Sequence, residues 1–263
     1  MNCATIVIPR IGSIVAASPP HRPLEAKRSP NDEASLFHRT IGILTQGDHR
    51  MSRDRDRASN RLSPITPETA TPAQRAIIDA ILGGDRAQDH AKRDLVDERG
   101  ALAGPFNAWA HRPDLGQFIH RLGERLRYHG QLPAGAREIA ILAVGAKWMA
   151  EYEWWAHARI ARREGVDDAA LNAILAGERP ALPDPVERLA YEIALGLLES
   201  GRIEEGVYEE ALERIGEGGL VELVVLVGFY CTVSFALNAF EVPLPLGEEP
   251  VFEGRENHEA PKK

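Results

Sequence analysis

Three ionisable residues have types and spacings suited to proton-transfer chemistry: Glu138, Glu153 and His157. Glu153 and His157 are four residues apart, so a single helix face would hold both side chains within reach of each other. Apolar and small residues follow Glu138 at helical spacing, so its carboxylate is expected to point toward an apolar side. A buried carboxylate needs a partner, and a histidine held by acids exchanges protons near neutral pH. The three residues therefore predict general acid–base catalysis.

The aromatic residues beside this trio indicate a binding wall. Tyr152, Trp154 and Trp155 would exclude water from the site and shift the pKa values of its acids and its base. Structural interpretations compete with this one, because a Glu–His pair at this spacing is commonly a surface contact and tryptophans commonly pack in cores or subunit interfaces. Glu138 could equally join two helices by pairing with an arginine. The combination of three ionisable residues in two adjacent apolar helices favours a functional site.

The elements that must position these residues are helices. From Thr66 onward apolar residues recur at helical spacing, with prolines and glycines at the expected helix ends, and no segment alternates as a strand does. We therefore predict that residues 61–245 form one all-α domain, a compact bundle of about eight helices. Predicted helices cover 72–82, a short segment around Trp109, 113–128, a segment opened by Pro133, 151–164, 167–175, 186–199, 204–215 and 219–240.

The two ends of the chain differ in composition from this domain. Residues 1–60 are rich in proline, arginine, histidine and serine without sustained periodicity. They are predicted to be a disordered extension, and the alternative is that residues 1–50 lie upstream of a true start at Met51. Residues 246–263 are predicted to be a flexible charged tail.

Composition argues against several classes of protein. The chain has 31 Lys and Arg against 39 Asp and Glu, a net charge of −8, which disfavours nucleic acid as a partner. Residues 220–240 are long and apolar, but polar residues interrupt them and no basic cluster flanks them, so a buried or interface helix is favoured over a membrane span. Cys3 and Cys231 form no CxxC pair, and their separation fits a reducing cytoplasm.

Motifs for cofactors are missing from the sequence. No HxxxH or CxxC spacing joins its histidines and cysteines, and no glycine-rich phosphate loop or GxSxG elbow occurs. We expect neither a metal nor a cofactor. A single arginine in a pocket would be enough to bind a small anionic substrate, and the candidates are Arg121, Arg125, Arg137 and Arg159.

Over residues 102–244 the chain resembles the carboxymuconolactone decarboxylase-like family, which shares an all-α fold with the alkylhydroperoxidase D-like enzymes. Four segments carry the resemblance. They are Gly104-Pro105-Phe106-Asn107, residues 137–142 (Arg-Glu-Ile-Ala-Ile-Leu), residues 151–159 (Glu-Tyr-Glu-Trp-Trp-Ala-His-Ala-Arg) and residues 237–244 (Leu-Asn-Ala-Phe-Glu-Val-Pro-Leu).

The resemblance implies different chemistry in the two branches of the family. The peroxidase branch carries a glutamate, a CxxC pair and a histidine, which fall here on Glu138, Ala150, Glu153 and His157. Both thiols are missing, and thiol peroxidase chemistry needs one to attack the peroxide and another to resolve the sulfenic acid. In the decarboxylase branch a carboxylated unsaturated lactone loses carbon dioxide and the resulting dienolate is protonated.

We therefore expect His157 to be the general acid, Glu153 its orienting partner and Glu138 a second relay or a structural acid. Asn107 and the three aromatic residues are expected to contact the substrate, an acidic lactone or a related small carbonyl compound. Lactone hydrolysis and isomerisation fit the same residues. The alternatives are a peroxidase and a non-catalytic oligomeric binding protein. The family implies a homo-oligomer, a trimer or hexamer, with residues 220–240 and the paired tryptophans at the interface.

Overall fold

The computed structural model describes residues 60–89 and 95–252, and this part of the chain is all-α, which confirms the predicted fold class. Within these ranges the backbone forms helices joined by short loops, and an isolated antiparallel bridge pairs Val96 with Leu102. In chain order the helices are α1 (Pro72–Gly83), α2 (Arg86–Asp89), α3 (Phe106–His111), α4 (Pro113–Tyr128), α5 (Ala134–Lys147), α6 (Glu151–Arg163), α7 (Asp168–Ala176), α8 (Pro185–Ser200) and α9 (Glu205–Ala239).

The helix ends follow from local side-chain chemistry. Thr71 and Gln74 form a reciprocal capping box at the start of α1. The carboxylates of Asp167 and Asp184 accept hydrogen bonds from backbone N–H groups at the starts of α7 and α8. These capping bonds fix the helix boundaries independently of the core, which is why the sequence pattern locates them well.

Helix α5 is the centre of the domain. It packs against α6, α8 and α9, and Ile139, Ile141, Leu142 and Val144 have no solvent exposure. A helix that is apolar on every side is stable only when it is surrounded by other helices. Any ionisable side chain in its middle is therefore held away from water, and Glu138 is such a residue.

Helix α9 is broken where the sequence predicts the end of one helix and the start of another. Gly216 has φ 67° and ψ 176°, a non-helical conformation that glycine adopts at little cost. The helix is long and apolar enough to cross a membrane, but half of its most apolar stretch is buried within the domain. That burial is typical of the core helix of a globular protein.

The start of the predicted C-terminal tail contacts the domain. The backbone N–H groups of Val251 and Phe252 donate to the Glu151 carboxylate at 2.8 and 2.7 Å, and the Phe252 ring packs edge-on against Trp154. A free tail therefore remains a prediction for residues 253–263, which lie outside the described residues. The predicted N-terminal extension, apart from residue 60, also lies outside them.

Candidate active site

A tight turn between α5 and α6 brings the three acid–base residues together. Met149 adopts a positive φ of 49°, and the Ala150 N–H donates to the Gly145 carbonyl at 2.9 Å. The turn folds α6 back along α5, so that His157 meets Glu138, 19 residues earlier in the chain. The family resemblance predicted which residues matter, and this turn explains how two helices hold them side by side.

The His157 imidazole lies between two carboxylates. Its Nδ1 donates to Glu138 Oε2 at 2.5 Å, and its Nε2 lies 3.1 Å from Glu153 Oε1. The second contact is an ion pair outside hydrogen-bond direction, because Glu153 Oε1 has no hydrogen-bond partner among the described residues. Exposure of Glu138, Glu153 and His157 is 0%, 3% and 5%, so all three interact in a medium that screens charge weakly.

The environment favours the charged form of both partners in the short hydrogen bond. Burial acts to lower the pKa of His157, but the Glu138 and Glu153 carboxylates outweigh it and raise that pKa above its usual value. Burial acts to raise the pKa of Glu138, but His157, then Arg127 and Arg137, lower it overall. Both shifts favour the imidazolium–carboxylate form of the pair, in which Nε2 carries a proton.

His157 and Glu153 face a cavity of about 290 Å³, whereas Glu138 lies behind the imidazole and does not line it. Tyr230 also lines the cavity, with its ring packed edge-on against His157 at 5.1 Å between centroids. Other described residues lining it include Arg86, Phe106, Trp109, His120, Gly123, Arg127, Tyr152, Trp155, Arg159, Arg163 and Phe229.

Two glycines give the cavity its aromatic wall. A Cβ on Gly104, which has φ 59°, would lie 2.7 Å from the Tyr152 ring, and a Cβ on Gly123 would lie 2.6 Å from the Phe229 ring. Such distances are shorter than real Cβ contacts, so a larger residue at either position would displace a ring. The Gly104 segment that carries part of the resemblance therefore shapes the site through contact with Tyr152.

The predicted substrate-contacting residues divide into two groups. Tyr152 and Trp155 line the cavity. Trp154 is buried elsewhere, against Phe252, and does not line it. Asn107 is also absent from the lining: its side chain accepts from the Ile65 N–H at 3.0 Å and donates to the Ser63 carbonyl, which fixes the segment before α1.

The arginine candidates are also divided. Arg159 lines the cavity and stacks on Trp155, with its guanidinium carbon 4.9 Å from the ring centroid. Arg137 contacts Glu138 Oε1 at 3.3 Å from behind the site, and Arg121 and Arg125 point to solvent on α4. The buried arginines that do line the cavity, Arg86 and Arg127, were not predicted.

One sequence signal could have identified Arg127. Gly116, His120, Gly123 and Arg127 recur at intervals of four, three and four residues, which places them on one face of α4. Two glycines on a helix face indicate close packing, and that face is the buried one. Arg86 precedes this helix and no local pattern connects it to the site.

The cysteine inside the described region is placed away from the acid–base residues. The Cys231 thiol accepts the Trp148 Nε1–H at 3.4 Å and does not line the cavity. Burial raises the pKa of this thiol, which disfavours the reactive thiolate. Among the described residues, no group of three or more His, Cys, Asp or Glu side chains could hold a metal ion.

Comparison with known proteins gives a family for the middle of the chain. The model of the Carboxymuconolactone decarboxylase family matches residues 113–195, which contain α4 to α7 and most of α8. A search of curated proteins gave no match. The match covers Glu138, Glu153 and His157, and it begins after Arg86.

Proposed function

We propose that the protein is an acid–base enzyme acting on a small carboxylated lactone or a related carbonyl compound, and the match of residues 113–195 to the carboxymuconolactone decarboxylase family supports this. One observation carries the proposal: His157 is held between two buried acids and faces a cavity large enough for a small molecule. Its raised pKa favours the protonated imidazole, which is the form that a general acid requires.

The reaction that fits best is decarboxylation of an unsaturated lactone. The bond between the ring and its carboxylate breaks, carbon dioxide leaves, and the electron pair passes into the conjugated carbonyl as a dienolate. His157 then gives its Nε2 proton to the dienolate carbon, and the imidazole regains a proton from water. The aromatic walls formed by Tyr152, Trp155 and Phe229 leave the departing carboxylate poorly solvated, which favours its loss.

The two acids have different positions and therefore different roles in this proposal. Glu138 holds Nδ1–H, sets the orientation of the ring and stabilises the imidazolium, which is the role expected of Glu153 from the sequence. Glu153 lines the cavity beside Nε2 and is placed to relay the proton. Arg137, in contact with the second oxygen of Glu138, adds to the effect of His157 and Arg127 in lowering the pKa of that carboxyl group.

Turnover in heavy water tests the reaction directly. Purified protein is incubated with a panel of unsaturated carboxylated lactones, and carbon dioxide and deuterium in the product are measured together. We expect equal amounts of carbon dioxide and of product carrying one deuterium on carbon. Ring-opened diacid without carbon dioxide would contradict decarboxylation in favour of lactone hydrolysis. Thiol-dependent consumption of hydroperoxide that is lost in Cys231→Ser would contradict the acid–base proposal.

We also propose that copies of the chain associate through an exposed apolar face. Seven large apolar side chains are exposed on α4 and on the part of α9 that follows Gly216, and the two helices contact each other. A monomer rarely leaves such a set in water. Of the two tryptophans expected at the interface, Trp154 is buried in the core and Trp155 is partly buried in the cavity wall. The exposed residues are Leu115, Phe118, Leu122, Val221, Val224, Val225 and Phe235.

Light scattering coupled to gel filtration tests this association. We expect the mass of a trimer or hexamer for the wild-type chain and a lower mass for Phe118→Glu, with Arg121→Glu on the same helix as the control. A monomeric wild-type protein would contradict the proposal.

A further inference from the structure

Two arginines are buried in the wall of the cavity. Arg86 is 8% exposed and Arg127 is 6% exposed, and both line the same space as His157. Removing a guanidinium from water is costly unless a negative charge accompanies it, and two guanidinium groups in one cavity repel each other. Glu124 acts on Arg86 and Glu138 acts on Arg127, but neither of these acids lines the cavity.

Aromatic rings hold the Arg86 guanidinium. Its central carbon lies 4.8 Å from the Phe106 ring centroid and 6.0 Å from that of Tyr128. These contacts place the guanidinium over the rings and do not use up its N–H groups as hydrogen-bond donors. The Nε–H of Arg86 is buried and has no acceptor among the described residues. Burial, and then the charge of Arg127, lowers the pKa of Arg86.

The charge of the cavity wall is unbalanced. Its described lining contains four arginines and a single acid, Glu153, although the chain as a whole has a net charge of −8. Glu153 is already paired with His157. A positive cavity in an acidic protein indicates an anionic ligand, and the planar fork of arginine matches a carboxylate.

We propose that Arg86 and Arg127 form a carboxylate-binding subsite, which holds the anionic group that remains on the substrate while His157 supplies the proton. The subsite does not hold the leaving carboxylate, because ion pairing would stabilise the ground state and slow the loss of carbon dioxide. Arg86 lies before the segment that matches the family, so half of this subsite comes from the chain's own N-terminal helices. The orientation toward His157 rests on the proposed function, whereas carboxylate binding does not.

Calorimetric titration of the full-length protein tests the subsite with paraconate, a saturated carboxylated lactone, and with its uncharged methyl ester. We expect the wild-type protein to bind the ester at least about tenfold more weakly than the acid. Arg86→Gln is expected to weaken paraconate binding by about tenfold or more and to leave ester binding within about twofold. Arg121→Gln, an exposed arginine on α4, is the matched control and is expected to bind as the wild type does.

Equal affinity of the wild-type protein for the acid and the ester would overturn the subsite, and so would wild-type paraconate affinity in a folded Arg86→Gln variant. If Arg86→Gln does not fold, the affinities of the wild-type protein for the acid and the ester decide, together with the variant Arg86→Lys. Lysine keeps the positive charge but lacks the planar guanidinium, so Arg86→Lys is expected to weaken paraconate binding.

Binding and turnover measured on the same wild-type preparation separate this inference from the proposed function. Charge-selective binding by a protein that turns over no lactone would contradict the proposed function and support the subsite. Turnover without any preference for the acid over the ester would contradict the subsite alone.

Discussion

On α4, His120 and Glu124 are four residues apart; on α6, Glu153 and His157 have the same spacing, and both histidines are buried in the wall of one cavity. Their electrostatics are opposite. Burial lowers the pKa of His120, with Arg86 and Arg121 adding to the effect and Glu124, 3.7 Å away, opposing it. The pKa of His157 is raised, although its burial also acts to lower it.

The difference comes from a neighbouring helix. His157 has a second carboxylate, that of Glu138, at hydrogen-bond distance on α5, whereas the other charges that act on His120 are those of Arg86 and Arg121. A glutamate–histidine pair within one helix therefore does not determine the protonation state of its histidine. That state depends on the charges that the neighbouring helix brings to the histidine.

The largest expected effect is on turnover. His157→Ala is expected to lower turnover of a carboxylated lactone by about two to four powers of ten, because it removes the proton donor. His120→Ala is expected to stay within about fivefold of the wild type, since a neutral imidazole there supplies no proton. Steady-state kinetics on both variants, with circular dichroism to confirm folding, provide the comparison. A loss of less than tenfold in His157→Ala would exclude the proposed role of this residue.

The next effect is on stability. Glu138→Gln is expected to destabilise the fold by about 3–5 kcal/mol, because it leaves a buried imidazolium without its main partner. Glu124→Gln keeps an acceptor for the Asp85 N–H and is expected to cost about 1 kcal/mol. Urea unfolding at neutral pH measures both free energies. Equal losses would mean that the two pairs contribute alike and that Glu138 has no special role.

The two histidines should also give stability opposite dependences on pH. The folded-state pKa of His157 is raised, so its contribution is complete below the unfolded value near 6.5 and is lost as pH rises through the folded value. The folded-state pKa of His120 is lowered, so its contribution is complete above 6.5 and is lost as pH falls toward the folded value.

Urea unfolding between about pH 5 and about pH 9 tests these opposite dependences of stability on pH in the wild type, His157→Asn and His120→Asn. The stability difference between wild type and His157→Asn should shrink as pH rises, and that for His120→Asn should shrink as pH falls. Slopes of the same sign would contradict the assignment.

The smallest expected effect distinguishes the two acids of the site. Glu153→Gln should lower the pKa of His157 by less than Glu138→Gln does, because the Glu153 contact is longer and is not a directed hydrogen bond. NMR titration of the imidazole resonances measures both changes, and the His120 resonance is the internal control. A larger shift in Glu153→Gln would restore the orienting role to Glu153.

Helix α4 shows where reasoning from sequence alone was insufficient. Its apolar stripe of leucine, isoleucine and phenylalanine residues predicts a core-facing side, yet Leu115, Phe118 and Leu122 are exposed. The buried face carries Gly116 and Gly123 instead, and a Cβ on Gly116 would lie 2.2 Å from a backbone oxygen. Close approach of the helix backbone outweighs the burial of larger side chains at this contact.

By itself the sequence determined the helices and the trio of acid–base residues, because capping, periodicity and spacing along one helix are local properties. The tertiary structure decided which acid holds the imidazole, which face of α4 turns inward, and that Arg86 joins Arg127 in the cavity wall. Those outcomes depend on how helices that are distant in sequence pack together. Because the interior has a low dielectric, the carboxylates that this packing places beside His157 raise its pKa.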